Sequence, residues 1–190
     1  MIETSTKKNR IFTEAAQLFQ TKGYAATSMR ELAAKVGLKP SSFYSHIKSK
    51  EEILQTICMQ AAVRFLEGLY AIRNSGKSAH AQWEAIIDLH VDVAFDDPSA
   101  ITVFNDEWRH LTGEALDTFR KKRKEYQSGV VDIIRQAITS GKLKELDATL
   151  VFNTMIGATR WLHFISSPNR ATADRIREQI KTVLFEGMKK

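Results

Sequence analysis

The stretch that decides the fold runs from Gly23 to Leu54, GYAATSMRELAAKVGLKPSSFYSHIKSKEEIL. Thr27 or Ser28 can cap a helix whose first turn holds Glu31, and with Ser28 as the cap the spacing is that of a capping box. Met29, Leu32, Ala33 and Val36 give that helix one apolar stripe. Gly37 stands where the chain must turn, since glycine takes positive φ without steric cost. Leu38 then plugs the core, and Pro40 suits the first turn of the next helix, where no amide donor is needed. Phe43 and Ile47, four apart, hold this second helix down and leave Lys39, Ser41, Ser42, Tyr44, Ser45 and His46 facing outward. Ser49 can cap a third helix that opens Lys50-Glu51-Glu52. Two short helices joined by a tight turn, the second hydroxyl-rich and bearing a tyrosine, have the layout of a helix-turn-helix that docks on duplex DNA.

Charge tests this reading independently. Residues 1–50 contain nine basic residues (Lys7, Lys8, Arg10, Lys22, Arg30, Lys35, Lys39, Lys48, Lys50) against three acids (Glu3, Glu14, Glu31). The whole chain has 28 basic and 22 acidic residues, so residues 51–190 are balanced and the entire excess of +6 sits on the first fifty. Phosphate neutralisation supplies much of the affinity for nucleic acid, and a merely solvated basic face has no reason to coincide with the helix-turn-helix.

Outward from that segment the chain reads as helical throughout. Three prolines and nine glycines punctuate 190 residues, and nowhere do apolar and polar residues alternate as in a strand. The periodicity predicts helices over 5–21, 28–35, 39–46, 50–74, 79–96, 98–111, 114–140, 148–166 and 172–188. Their breaks fall at Gly23, Gly37, Ser49, Ser75-Gly76, Asp97-Pro98, Thr112-Gly113, Gly141 and Ser167-Pro168, with Asp147 capping the helix that begins at Ala148. A hydrophobic fraction of 43% is that of a soluble globular protein. No apolar run reaches the length of a membrane helix, and the opening MIETSTKKNR leads into an amphipathic helix rather than a signal peptide. The single cysteine, Cys58, excludes an intrachain disulfide and fits a reducing cytoplasm, where it reads as an inert core thiol.

Several residues carry a family likeness. Ala15, Ala16, Leu18, Phe19, Gly23, Tyr24, Thr27, Ala33, Val36, Gly37, Tyr44, Ser49, Lys50, Glu51 and Leu54 stand in the order and spacing of the amino-terminal pattern of the TetR family of bacterial transcriptional regulators, which the first quarter of the chain resembles. Ser41, Ser45-His46 and Ile47-Lys48 depart from its commonest residues, which leaves docking in place and the preferred operator sequence open. The resemblance implies an all-α, nine-helix architecture: a three-helix DNA-binding domain over 1–49 and a six-helix ligand-binding and dimerisation domain over 50–190. It also implies that Thr27, Ser28, Lys39, Pro40, Ser41, Ser42, Tyr44, Ser45, His46 and Lys50 meet a palindromic double-stranded operator. Tyr44 and Lys50 would touch the backbone, while Lys39, Ser41, Ser45 and His46 would reach base edges.

The carboxy-terminal part reads as regulatory. Residues 148–166 are apolar nearly all round, with Gly157 and Ala158 permitting close approach of another backbone, and the last helix adds Ile176, Ile180, Val183, Leu184 and Gly187. In the family such a pair forms a homodimer's four-helix bundle, the alternative being that both serve only the core of one chain. Asn105, Trp108, Arg109, Tyr126, Arg160 and Trp161 are polar or amphipathic residues set in apolar helices, as ligand contacts usually are. The segment Glu107-Trp108-Arg109, the following helix with Arg120, Arg123 and Tyr126, and the late Trp161 resemble the acyl-CoA-responsive branch of the family, with Arg160 standing where that branch would have an asparagine. The expected inducer is a small, largely apolar molecule such as an acyl-CoA or a carboxylic acid. A cationic-ligand sensor using Trp108, Trp161, Asp106 and Glu107 is the rival within this fold. The basic run Arg120–Lys124 reads as a solvated face sooner than a phosphate site, because consecutive residues point around a helix.

Catalysis finds no support in the sequence. His90, Asp88, Asp92 and Asp96 share a helix, but an i, i+2 spacing does not aim two ligands at one metal. There is no HExxH, P-loop, dinucleotide loop or Gly-x-Ser-x-Gly. The expectation is therefore no enzyme and no cofactor, with an all-helical metal-dependent hydrolase as the remote alternative.

Overall fold

The computed structural model describes residues 2–165 and 169–188, with the side chains of 2–7 and 142 outside that description. Among the described residues there are nine α-helices and no strand. They are α1 (Ile2–Lys22), α2 (Met29–Lys35), α3 (Pro40–Tyr44), α4 (Lys50–Arg73), α5 (Ala79–Asp96), α6 (Pro98–Thr102), α7 (Gly113–Ala137), α8 (Ala148–Thr159) and α9 (Arg170–Glu186). The all-helical expectation holds. The break expected at Ser167-Pro168 lies outside the described residues.

Three expected helices end sooner than their apolar pattern does. After α6 the backbone widens into a π turn, Val103–Glu107, and then tightens into a 3-10 turn, Trp108–His110. After α7 a π turn over Ile138–Lys142 carries Gly141 at φ 82°, a left-handed conformation that ends the helix. Past α8 comes a 3-10 turn, Leu162–Phe164. Apolar periodicity persists through such turns because it reports which side is buried and not which hydrogen bond closes the ring.

The chain packs as two compact units, Met1–Ala62 with Ser99–Arg120, and Val63–Pro98 with Lys121–Lys190. In the first, Ile11, Phe12, Ala15, Ala16 and Phe19 of α1 meet Leu32 and Ala33 of α2, Phe43 of α3, Ile47, and Ile53, Leu54, Ile57 and Cys58 of α4. Val103, Leu111 and Phe119 complete that core. Full burial of each Leu, Ile or Phe among them contributes about 1.5–3 kcal/mol.

The second unit is organised on α5, which packs along α9 and also against α8. Trp83, Ile86, Ile87, Val91, Val130, Ile134 and Met155 are fully buried. Ala173, Ile176, Ile180, Leu184 and Phe185 are the buried stripe of α9, and the Phe185 ring stands edge-on to Trp83 at 4.6 Å. An ion-pair ladder closes the α5–α9 seam: Arg177 bridges Asp88 (3.1 Å), Asp92 (2.5 Å) and Asp174 (2.5 Å), and Lys181 meets Asp88 at 2.7 Å. Of the acids that the sequence set beside His90, Asp88 and Asp92 are thus spent on α9's cations, while Asp96 pairs with Arg64 of α4.

Candidate DNA-binding site

The turn before α2 is built by local chemistry. Ser28, not Thr27, is the N-cap: its Oγ accepts from the Glu31 amide at 3.3 Å, and its own amide donates to Glu31 Oε2 at 2.8 Å. Lys22 pairs with the same carboxylate, and these partners, Lys22 first and Ser28 next, hold the Glu31 pKa down at about 2. Thr27, a candidate cap that the resemblance also sets among the operator residues, is buried. It is 2% exposed, and its hydroxyl donates 2.8 Å to the Gly23 carbonyl, because the chain bends there and a buried hydroxyl must find an acceptor. Its side chain therefore faces the core of the turn.

Lys50 has a structural task that its position in the sequence did not announce. Its Nζ donates to the carbonyls of Tyr24 (2.9 Å) and Thr27 (2.9 Å) and lies 3.4 Å from that of Ala25. It also sits 4.4 Å from the centre of the Tyr24 ring, within cation–π range. Tyr24 in turn donates its hydroxyl to Glu51 at 3.1 Å. The first residues of α4 thereby pin the loop that precedes α2. Around this latch runs a groove of about 520 Å³ bordered by Ser28, Tyr44, Lys48 and Lys50.

Helix α3 presents the rest. Pro40 occupies its first turn and Lys39 its N-cap without a side-chain capping bond. Phe43 and Ile47 are wholly buried, as their spacing requires. Ser28, Lys39, Pro40, Ser41, Ser42, Tyr44 and Ser45 are exposed, Tyr44 by 54%, while His46 and Lys50 are partly buried. Ser45 turns its hydroxyl onto the Ser42 carbonyl at 2.7 Å. Cys58 is fully buried, and burial first, then Glu107, pushes its thiol up to about 12. Such a thiol is not a redox sensor.

The residues expected to meet a ligand fall into both units. In the first, Trp108 stacks on Phe119 at 5.8 Å and packs against the core, and Arg109 is exposed with Nε donating 2.8 Å to the Asp106 carbonyl. Asn105 is partly buried in the π turn. In the second unit Tyr126 is buried and its hydroxyl meets His90 Nε2 at 2.9 Å, with the Phe65 ring against both. Burial pushes the His90 imidazole down to about 4, so the pair is uncharged at neutral pH. Arg160 is the exposed C-cap of α8, and Trp161 is 48% exposed. Burial, and after it the nearby Arg160 charge, lowers the Arg123 pKa. Nothing in the sequence pointed to the His90–Tyr126 pair, which joins residues 36 positions apart.

Comparison with known proteins agrees with this geometry. Residues 11–57 match the family model for bacterial regulatory proteins of the TetR family, and residues 76–164 that for the tetracyclin repressor-like C-terminal domain. The chain is 25% identical over 191 residues to the HTH-type transcriptional repressor KstR2 of Rhodococcus jostii (strain RHA1), covering 97% of this chain and 92% of the relative. Among solved structures it superposes on KstR2 of Mycobacterium tuberculosis with a TM-score of 0.90 at 20% identity, covering 96% of this chain and 95% of the other. It superposes on AibR in complex with isovaleryl coenzyme A and operator DNA with a TM-score of 0.82 at 23% identity, covering 94% and 98%. A protein with this helix-turn-helix and this C-terminal domain is a DNA-binding transcriptional regulator and not an enzyme. The chain belongs to the TetR family.

Proposed function

We propose that the protein is a cytoplasmic repressor that binds a palindromic operator as a homodimer and leaves it when a small, largely apolar ligand binds. The functional division proposed is 1–49 for DNA and 50–190 for ligand and dimerisation. The observation that carries the DNA part is the exposed face of α3. Lys39, Ser41, Ser42, Tyr44 and Ser45 stand clear of a core that anchors the helix from below, on the segment holding all the chain's excess positive charge. Tyr44 and the groove beside Lys48 and Lys50 suit a backbone phosphate, while Ser41 and His46 suit base edges and Ser28 and Pro40 their surroundings. Thr27 serves by shaping the turn.

Sequence selection from a random duplex pool tests this assignment. Ser41→Ala and His46→Ala are expected to change the recovered consensus while overall affinity moves by less than about tenfold, since base contacts specify and phosphate contacts position. An identical consensus from wild type and both variants would overturn the base-reading role.

Dimerisation through the last two helices is supported chiefly by α8. Leu150 (63% exposed) and Gly157 lie two turns apart on one face, and open space surrounds the position where a Gly157 side chain would begin. Phe164 (68%) and, on α9, Val183 (74%) extend this apolar surface. Ile176, Ile180 and Leu184 are used by the unit's own core, so Val183 is the α9 residue left for a partner.

For the ligand, the proposal is an acyl-CoA or a carboxylic acid. Tyr126 with His90 offers an uncharged polar contact in an apolar interior, and Arg160 with Arg123 offers positive charge for an anionic end. Trp161 supplies apolar surface. AibR, the structural neighbour holding isovaleryl coenzyme A and operator DNA, supports the class of ligand. Asn105, Trp108 and Arg109 remain proposed contacts tested in their own right. Titration of acyl-CoAs, free acids and cationic dyes into the protein–operator complex separates the possibilities. Acyl-CoAs or acids are expected to release DNA, and Arg109→Ala is expected to retain operator binding while losing that response. Release by cationic dyes alone would replace this reading with a cation sensor.

A further inference from the structure

The latch of Tyr24 and Lys50 has a second support, and it comes from the segment following α5. The imidazole of His110 lies against the Tyr24 ring, 5.1 Å between centres and tilted by 32°, covering a tyrosine that is 6% exposed. Phe19 meets the same ring edge-on at 5.2 Å. His110 is itself oriented, since its Nε2 stands 3.3 Å from Glu107 Oε2, and Glu107 Oε1 lies 3.8 Å from where a side chain on Gly23 would begin. One helical stretch earlier, the side-chain amide of Gln20 is engaged at both ends. Its Oε1 accepts from Ser99 Oγ at 2.7 Å and its Nε2 donates to Thr102 Oγ1 at 3.1 Å. Ser99 and Thr102 are three apart on α6, so they face Gln20 as a pair. Residues 99–110 therefore grip the last turn of α1 and the loop after it at two places, one polar and one aromatic.

We propose that His110 and Gln20 are positioning residues for operator binding, with residues 99–110 acting as a brace that holds Tyr24, and through it Lys50 and the 24–27 carbonyls, in the arrangement that orients α2 and α3. Neither residue touches DNA in this role. His110 acts through the ring it covers, and Gln20 through the end of the helix that leads into the turn. A recognition surface must be held to within about half an ångström to make its contacts, and a side-chain rotamer locked by packing is how that is achieved. The π turn Val103–Glu107 joins Thr102 of the first grip to Glu107 and His110 of the second. The brace also requires the ring of residue 110 and not its charge, because what covers Tyr24 is a flat surface.

The test uses the full chain and, as probe, the duplex that wild-type protein recovers from a random-sequence pool, with an unrelated duplex of equal length as reference. His110→Ala and Gln20→Ala are each expected to weaken the recovered duplex about tenfold, the scale of one well-made base contact. Binding to the unrelated duplex is expected to fall by less than about threefold, and the thermal midpoint by no more than a few degrees, since each variant loses only one or two small contacts. His110→Phe, which keeps a ring on Tyr24, is expected to restore binding to the recovered duplex. Wild-type affinity in His110→Ala, or no recovery in His110→Phe, would overturn the brace. So would a parallel fall of both duplexes with the thermal midpoint, which is the signature of a residue that merely stabilises the fold.

Discussion

Phe43→Ala is expected to abolish operator binding and to destabilise the first unit by about 3–5 kcal/mol, the usual cost of emptying a fully buried aromatic site. The loss should be at the high end for a local reason. Helix α3 has five residues, too few to hold helical structure alone, and its N-cap residue Lys39 makes no side-chain capping bond. What keeps it in place is the burial of Phe43 and Ile47 against α1, α2 and α4. Removing one of these two anchors leaves the helix that carries Ser41, Ser42 and Tyr44 without a fixed orientation. Because a whole domain is stable by only about 5–15 kcal/mol, the effect is a large share of the total. Denaturant melting and gel-shift titration read it directly. Tyr44→Ala, at a residue 54% exposed, is the internal comparison and should cost well under about 1 kcal/mol of stability. Operator affinity surviving in Phe43→Ala would mean that α3 is not the element that reads DNA.

Leu150→Arg is expected to convert the protein to a monomer and to reduce operator affinity by about a hundredfold or more, since two linked half-site contacts gain that much over one. Leu150 is 63% exposed and its environment is open, so the substitution should change the stability of the single chain by no more than about 0.5 kcal/mol. A buried arginine at the centre of an apolar interface, in contrast, has no partner and must be desolvated. Sedimentation at concentrations spanning the dimer's range, alongside gel shift on a palindromic duplex, gives both readings. A Leu150→Arg protein that sediments as wild type would place the interface elsewhere than on the α8 face.

How much of this was legible before the structure depends on the range of the interactions involved. The capping box at Ser28 and Glu31, the turn at Gly37 and Pro40 in the first turn of α3 all arise from contacts within a few residues, and the four-residue spacing of Phe43 and Ile47 marks the face of α3 that the rest of the unit buries. Sequence spacing reports such contacts faithfully. The inward turn of Thr27 was not legible, because two adjacent hydroxyls can each cap, and only the bend at Gly23 decides which one does. The premature ends of α6, α7 and α8 were invisible for a different reason: burial periodicity continues through π and 3-10 turns unchanged.

The amino-acid sequence alone determined that this is an all-helical regulator with a basic helix-turn-helix at its start, because helix period, caps and charge are local properties of the chain. It also determined that Lys39, Ser41, Ser42, Tyr44 and Ser45 stand outward, whereas His46, set outward with them, is partly buried. Only the tertiary structure decided what the polar side chains between helices do. Lys50 closes on three carbonyls more than twenty residues before it, Tyr126 finds His90, Arg177 gathers Asp88 and Asp92, and His110 covers Tyr24. Each of those partnerships spans a long stretch of chain, and each exists because a polar group taken out of water must be matched by whatever the fold brings beside it. A sequence lists such groups, and packing chooses their partners.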